Sequence, residues 1–214
     1  MDTIRTIGTI GAGNIGTAVA RLAVAAGYDV VVSNSRGPET LADLVAELGP
    51  RASADTAIGA ATRGDLVVVT IPLRAIEAVP VEPLAGKIVV DTNNYYAARD
   101  GHLTELDEHR DTSAGLLQRH LPTSRVVKAF NHIRSTELES DGTAPGTPGR
   151  RALALYGDDT DAVETVTQWL DELGYDAVQG GGLAESWRIE PGMPGYGPRL
   201  DATGLRQALA NATR

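Results

Sequence analysis

The chain of 214 residues contains no cysteine. That excludes a disulfide framework, thiolate nucleophiles and cysteine-ligated metals. Aromatic residues are also scarce: one phenylalanine, two tryptophans and six tyrosines. Single-stranded nucleic acids are bound on aromatic stacking platforms, for which this is too few. Lysine occurs only at Lys87 and Lys128, so arginine supplies nearly all the positive charge. Acidic residues outnumber basic ones by 28 to 19, a formal net charge of −9. With no basic stripe, neither nucleic acid nor an anionic membrane surface is an expected partner. The longest apolar run, around residues 66–73, is far too short to span a bilayer. No signal-like apolar segment stands near the start, and a cytoplasmic location is the expectation. His102, His109, His120 and His132 lack metal-ligand spacing, so no metal site is expected. Neither a nucleophile elbow nor a phosphate-binding loop of the G-x-x-x-x-G-K-[ST] type occurs, which leaves hydrolase and phosphoryl-transfer chemistry without support.

What is present is a regular alternation. Residues 6–10 read as a buried strand, residues 14–26 as a helix stopped by Gly27, and residues 29–32 as a second strand. Pro38 opens a helix on which Leu41, Leu44, Val45 and Leu48 share a face, and Gly49-Pro50 closes it. A short helix near residues 56–62 leads into the apolar run 65–72, followed by strand patterns at 87–91 and 125–131. Between these last two a helix is expected near residues 113–120. Continuous apolar strands alternating with helices indicate a doubly wound, mostly parallel α/β sheet of the Rossmann type over residues 1–133. Residues 134–214 read as a small C-terminal α/β lobe. It has strands at 152–157 and 176–179, helices at 160–173 and about 201–212, and Gly/Pro-rich stretches at 142–149 and 180–198.

The sharpest motif is Gly11-Ala12-Gly13-Asn14-Ile15-Gly16, which follows a strand and opens a helix. In that setting Gly11 allows a tight turn, Gly13 lets a pyrophosphate approach the backbone, and Gly16 lets helix and strand pack closely. The helix N-terminus supplies the positive potential that an acidic protein otherwise lacks. After the second strand, where an NAD site usually carries an acid, stand Ser33-Asn34-Ser35-Arg36. Hydroxyls, an amide and a guanidinium favour a 2′-phosphate, so NADP(H) is expected over NAD(H).

In open α/β sheets ligands lie beyond the carboxyl ends of the strands. Three such ends offer candidates. Thr70-Ile71-Pro72 places apolar backbone beside a nicotinamide ring, Asn93-Asn94-Tyr95-Tyr96 offers amides and phenols, and Asn131-His132-Ile133 ends the last strand of the first domain. Cofactor contacts are expected from Thr70, Ile71, Pro72, Asn93 and Ile133, and catalytic roles from Asn94, Asn131 and His132. The imidazole of His132 suits proton transfer near neutral pH. Lys128 is a weaker candidate, since a strand lysine can equally pair with an acid.

Taken in order, GAGNIG, the Asn-Ser-Arg after the second strand, VVVTIP, VVKAFNHI, LYGDD and GGLAESWR resemble the deazaflavin-dependent NADP oxidoreductase family. That family exchanges hydride between NADPH and coenzyme F-420. The resemblance runs from about Thr6 to Trp187. It implies an NADP-binding Rossmann domain, a C-terminal lobe completing a cleft for the deazaflavin, and a homodimer. By position, Asn14, Ile15, Ser35 and Arg36 would hold NADP, while Ile71, Pro72 and Ile133 would flank the stacked rings. Arg150, Arg151, Arg188 and Arg199 are the cations available for the anionic tail of the coenzyme. The chain departs from the family pattern at Asn93–Tyr96, at Asn131-His132 and in the tail from Trp187 to Tyr196. These departures concern the second substrate and leave the NADP site untouched. Two alternatives stay open: an NADPH-dependent reductase of a small imine or carbonyl, with a proton donor among His132, Tyr95 and Tyr96, and a non-catalytic NADP-sensing protein.

Overall fold

In a computed structural model that describes residues 4–214, the valine-rich runs form one sheet in the order β3-β2-β1-β4-β5-β6-β7-β8. The strands are β1 (Thr6–Ile10), β2 (Asp29–Ser33), β3 (Ala52–Ala54), β4 (Leu66–Val69), β5 (Ile88–Asp91), β6 (Arg125–Lys128), β7 (Ala152–Gly157) and β8 (Asp176–Gln179). The helices are α1 (Asn14–Ala25), α2 (Ala42–Leu48), α3 (Ala57–Arg63), α4 (Ala97–Asp100), α5 (Thr104–Asp107), α6 (Ser113–His120), α7 (Ser135–Ser140), α8 (Thr160–Glu172) and α9 (Ala202–Ala210). Strands β1 to β6 pair in parallel, in the 3-2-1-4-5-6 order of a Rossmann sheet.

The strands run apolar without interruption because both faces are covered. Val30, Val32, Leu66, Val68, Ile88, Val90 and Val127 enter one core layer, with α1 and α8. Ile10, Val67, Val69, Val89 and Val126 enter the opposite layer, with α6. Successive strand residues thus feed opposite layers, as the period of two requires.

Several elements have little sequence signal. The edge strand β3 is Ala-Ser-Ala, too short and too weakly apolar to stand out. The helix expected from Pro38 begins as a 3-10 turn over Pro38–Leu41 before α2 takes over. The late Gly/Pro-rich stretch contains a 3-10 segment, Leu183–Ile189. β7 runs antiparallel to β6 through the pairs Val127↔Gly157 and Lys128↔Tyr156, and β8 continues parallel to β7. The sheet therefore passes without a break from residues 1–133 into residues 134–214.

Two buried arginines fasten the C-terminal segment. Arg150 donates to Asp171 and Asp176 at 2.5 and 2.9 Å. Arg151 donates to Glu137 on α7 and to Asp141 at 2.8 and 2.7 Å.

Candidate functional site

The parallel order reverses direction between β1 and β4, so their carboxyl ends open a crevice. At its base, Gly11 has φ of 107°, and a side chain there would be driven into the Thr70 carbonyl. Gly16 lies against the Gly11 carbonyl and the Thr70 methyl, so it is also fixed by close packing. Gly13 differs. A Cβ built on it meets nothing within 4 Å, so its smallness answers to no neighbour in the chain. Gly13 is the N-cap of the 12-residue helix α1, and no side chain caps that terminus. The helix thus directs free N–H donors over an open glycine, which is the arrangement an anionic ligand needs.

Two grooves meet at this point. One, of about 410 Å³, runs from Gly11 and Gly13 along Ser33, Asn34, Ser35 and Arg36 to Ala57, Ala75 and Ala78. The Ser33 hydroxyl is buried and donates to the Thr9 carbonyl at 2.7 Å. Asn34 accepts from the backbone N–H groups of Arg36 and Gly37 and donates to Thr40. These two side chains build the turn. Ser35 and Arg36 are left exposed at its tip, and among the described residues no carboxylate lies within ion-pair distance of the Arg36 guanidinium.

The second groove, of about 490 Å³, shares Gly13, Thr70, Ile71 and Pro72 with the first. It continues past Asn14 and Ile15 to Asn93, Asn94 and Tyr96, and is closed by Asn131, Ile133, Arg134 and Tyr196. Its walls are held from below by Lys128, which is fully buried. The ammonium donates to Asp91 and to Ser113 at 2.9 Å each, and also to the Asn93 carbonyl. Asp91 in turn accepts the Asn93 N–H at 2.8 Å. Lys128 is therefore a buried clamp on the loop after β5 and does not reach the groove.

Beyond Lys128 the chain turns sharply. Phe130 has φ of 60°, uncommon for a residue with a side chain, and is held there by complete burial against the edge of Trp169. The turn brings Asn131 and Ile133 to the groove. Asn131 donates to the Asn94 side chain at 3.1 Å and to the Ile189 carbonyl at 2.7 Å, and Asn94 returns a bond to the Asn131 carbonyl at 2.7 Å. The two amides tie together three loops. At the rim the Tyr96 and Tyr196 hydroxyls bond each other at 2.5 Å, with the Arg99 guanidinium stacked on the Tyr96 ring at 4.9 Å. Burial, followed by the bond to Tyr96, raises the Tyr196 phenol above its ordinary pKa.

His132 points the other way. It does not line the groove; its Nε2 accepts the Ala154 N–H at 3.1 Å, and Nδ1 lies 3.3 Å from Asn131 Oδ1. Since an N–H can only donate, Nε2 carries no proton, and Nδ1–H is the donor to Asn131. Burial pushes the imidazole down to about 3, helped by the nearby charges of Arg151 and Lys128. The proton-transfer chemistry expected of His132 has no support in this geometry; its place is that of a core residue bracing Asn131. Tyr95 is likewise turned away, donating to Asp107 at 2.7 Å and accepting the Leu103 N–H at 3.1 Å.

The cations expected to meet an anionic tail are elsewhere too. Arg150 and Arg151 are buried in the ion pairs above, Arg188 stacks on Trp187 at 4.5 Å, and Arg199 faces Asp141 at 3.5 Å. The arginines at the second groove are instead Arg99 and Arg134. Arg99 is paired with Asp100, whereas the nearest carboxylate to Arg134 is Glu137, at 3.7 Å. Arg134 follows the last strand of the parallel set and was within reach of the strand-end rule. Tyr196 was not, because its approach depends on folding of the late loop.

Comparison with known proteins bears on these grooves. Residues 6–95 match the family model described as NADP oxidoreductase, coenzyme F-420-dependent. A solved structure of the hypothetical protein SMa0349 from Sinorhizobium meliloti is 31% identical, with a TM-score of 0.77 and 94% of each chain covered. The chain belongs to this NADP oxidoreductase family. A structure from Arthrobacter sp., described as a proposed F-420-dependent NADP reductase, is 25% identical with a TM-score of 0.73, covering 86% of this chain and 87% of that one. Rat metalloreductase STEAP3 is 28% identical over 188 residues, 86% of this chain. The chain spans 35% of the length of that relative and matches half the length of another, Escherichia coli YjhV. The family is described as one of NADP oxidoreductases. The uncapped α1 terminus, the open Gly13 and the unpaired Arg36 all fit such a cofactor. Among the described residues no helix is long and apolar enough to cross a membrane, and no cluster of three or more His, Asp or Glu forms a metal site.

Proposed function

We propose that this oxidoreductase transfers hydride between NADPH and the deazaflavin coenzyme F-420. The observation that carries the reading is the junction of the two grooves at Gly13, Thr70, Ile71 and Pro72. A dinucleotide laid across that junction has its adenosine end at Arg36 and its nicotinamide end beside Ile71. Ser35 and Arg36 hold the 2′-phosphate, while the N–H groups from Gly13 to Gly16 face the pyrophosphate. Ile71, Pro72 and Ile133 present apolar surface to the rings, and Asn94 and Asn131 fix the wall opposite them. When bound together, the nicotinamide and the deazaflavin supply the hydride donor and acceptor; the chain's contribution is to hold them close and exclude water. Residues 1–133 serve as the dinucleotide-binding part, and residues 134–214 complete the cleft. The same reading has the protein working as a cytoplasmic homodimer without nucleic-acid or membrane partners. The F-420 dependence ascribed to the family and to the Arthrobacter protein supports the choice of deazaflavin.

The test is anaerobic mixing of the protein with NADPH and oxidised F-420. Loss of the visible deazaflavin absorbance is expected; no loss with protein shown to be saturated with NADPH would overturn the reading.

The Tyr96–Tyr196 pair favours a second reading, reduction of a small imine or carbonyl. One of its two hydroxyl hydrogens is used within the pair, which leaves one for a ligand in the groove. In that case Tyr196→Phe lowers turnover of the imine or carbonyl at least tenfold with NADPH affinity unchanged. An NADP-sensing role predicts cofactor binding with no turnover of any acceptor.

A further inference from the structure

Every polar atom of Asn93 has a partner except one. Its N–H donates to Asp91 at 2.8 Å, its carbonyl accepts from Lys128, and its side-chain Oδ1 accepts the Ile71 N–H at 3.0 Å. The side-chain Nδ2 is enclosed and has no acceptor, although Asn93 as a whole is only 3% exposed. Buried donors without partners are rare, because the group has given up its bond to water and gained nothing in exchange. The amide is not free to rotate out of this state. Ile71 offers a donor, so the oxygen must face Ile71 and the nitrogen must face away from it. Asn93 lines the second groove at the end shared with Ile71 and Pro72, well before the Tyr96–Tyr196 rim.

We propose that Asn93 Nδ2 is the donor that reads the carbonyl oxygen of the nicotinamide carboxamide and thereby fixes which way the ring lies against Ile71 and Pro72. The inference rests on the cofactor placement given under Proposed function. It adds a specificity-determining contact at the ring end, set by the buried Lys128–Asp91 pair that immobilises the Asn93 backbone. An acceptor oxygen that displaces the groove wall by the small distance needed to reach Nδ2 satisfies an amide hydrogen that the protein alone leaves without a partner. A ligand without one leaves the site as it is.

Asn93→Asp keeps the oxygen that accepts from Ile71 and replaces the donor with a second, acceptor-only oxygen. Affinities are measured by calorimetry for NADP⁺ and for 2′-phospho-ADP-ribose, which has the phosphates and riboses but no nicotinamide. The expected result is a loss of about tenfold or more for NADP⁺ with the ring-less compound bound as before. Asn93→Ala is run alongside, in case a second carboxylate near Asp91 prevents folding; the same split is expected of it. Equal losses for both compounds, or an unchanged NADP⁺ affinity, would overturn the assignment while leaving the cofactor site in place. Failure of the unaltered protein to bind either compound would overturn the cofactor site, and this contact with it.

Discussion

Lys128 Nζ and Asp91 Oδ2 lie 2.9 Å apart, and neither side chain reaches solvent. A buried ion pair contributes little net stability against an apolar pair of equal shape, but removing one partner strands the other. Lys128→Met should therefore destabilise the fold by about 3–5 kcal/mol in urea titrations. The double variant Lys128→Met/Asp91→Asn should recover much of that loss. A single variant within about 1 kcal/mol of the parent would show that the pair does not hold the β5 loop.

The three glycines of the first turn should separate cleanly by measurement. Gly16→Ala forces a methyl onto the Gly11 carbonyl and should cost about 2 kcal/mol or more of stability. Gly13→Ala meets no protein atom, so its stability cost should stay at about 1 kcal/mol or less. Its NADPH affinity should nonetheless fall at least tenfold, because the methyl occupies the space where a pyrophosphate would approach. Unaltered NADPH binding by Gly13→Ala would remove the phosphate role from this turn.

Arg36 bears on the choice between the two nicotinamide cofactors. Arg36→Ala should weaken NADPH by roughly tenfold or more, the value of a charge-assisted hydrogen bond. NADH, which lacks the phosphate, should bind the variant and the parent alike. Parallel losses for both cofactors would place Arg36 outside the 2′-phosphate site.

His132 makes stability depend on pH. Its folded-state value of about 3 lies below the ordinary 6.5. As pH falls below 6.5 the unfolded chain takes up a proton that the folded chain refuses. Stability is thus full above 6.5 and declines by at most about 1.4 kcal/mol per pH unit toward 3. Between pH 6.5 and 5 carboxylates contribute little to this slope, so the difference in urea unfolding between the parent and a His132 variant in that window should isolate this histidine. His132→Gln should flatten the curve there; an unchanged slope would mean that the ring is not held neutral.

Much of the site was legible because its parts are local. The turn from Gly11 to Gly16 sits between a strand and a helix that each announce themselves, and Arg36 follows the next strand directly. The strand-end rule also reached Asn93, Asn94 and Asn131. The same rule places His132 at the groove together with its neighbours, whereas Phe130 turns the chain and sends Asn131 to the groove and His132 into the core. The arginines of the C-terminal segment looked available because their acids are distant in sequence: Arg150 pairs with Asp171 and Asp176, and Arg151 with Glu137. The meeting of Tyr96 with Tyr196 has the same cause. No local pattern encodes a contact made only when the late loop folds back over the sheet.

The antiparallel join of β6 to β7 has a mechanical consequence. Both walls of the second groove hang from one continuous sheet, so the loops on either side of a ligand there are rooted in neighbouring strands. The hydroxyl contact between Tyr96 and Tyr196 ties those loops together at the rim.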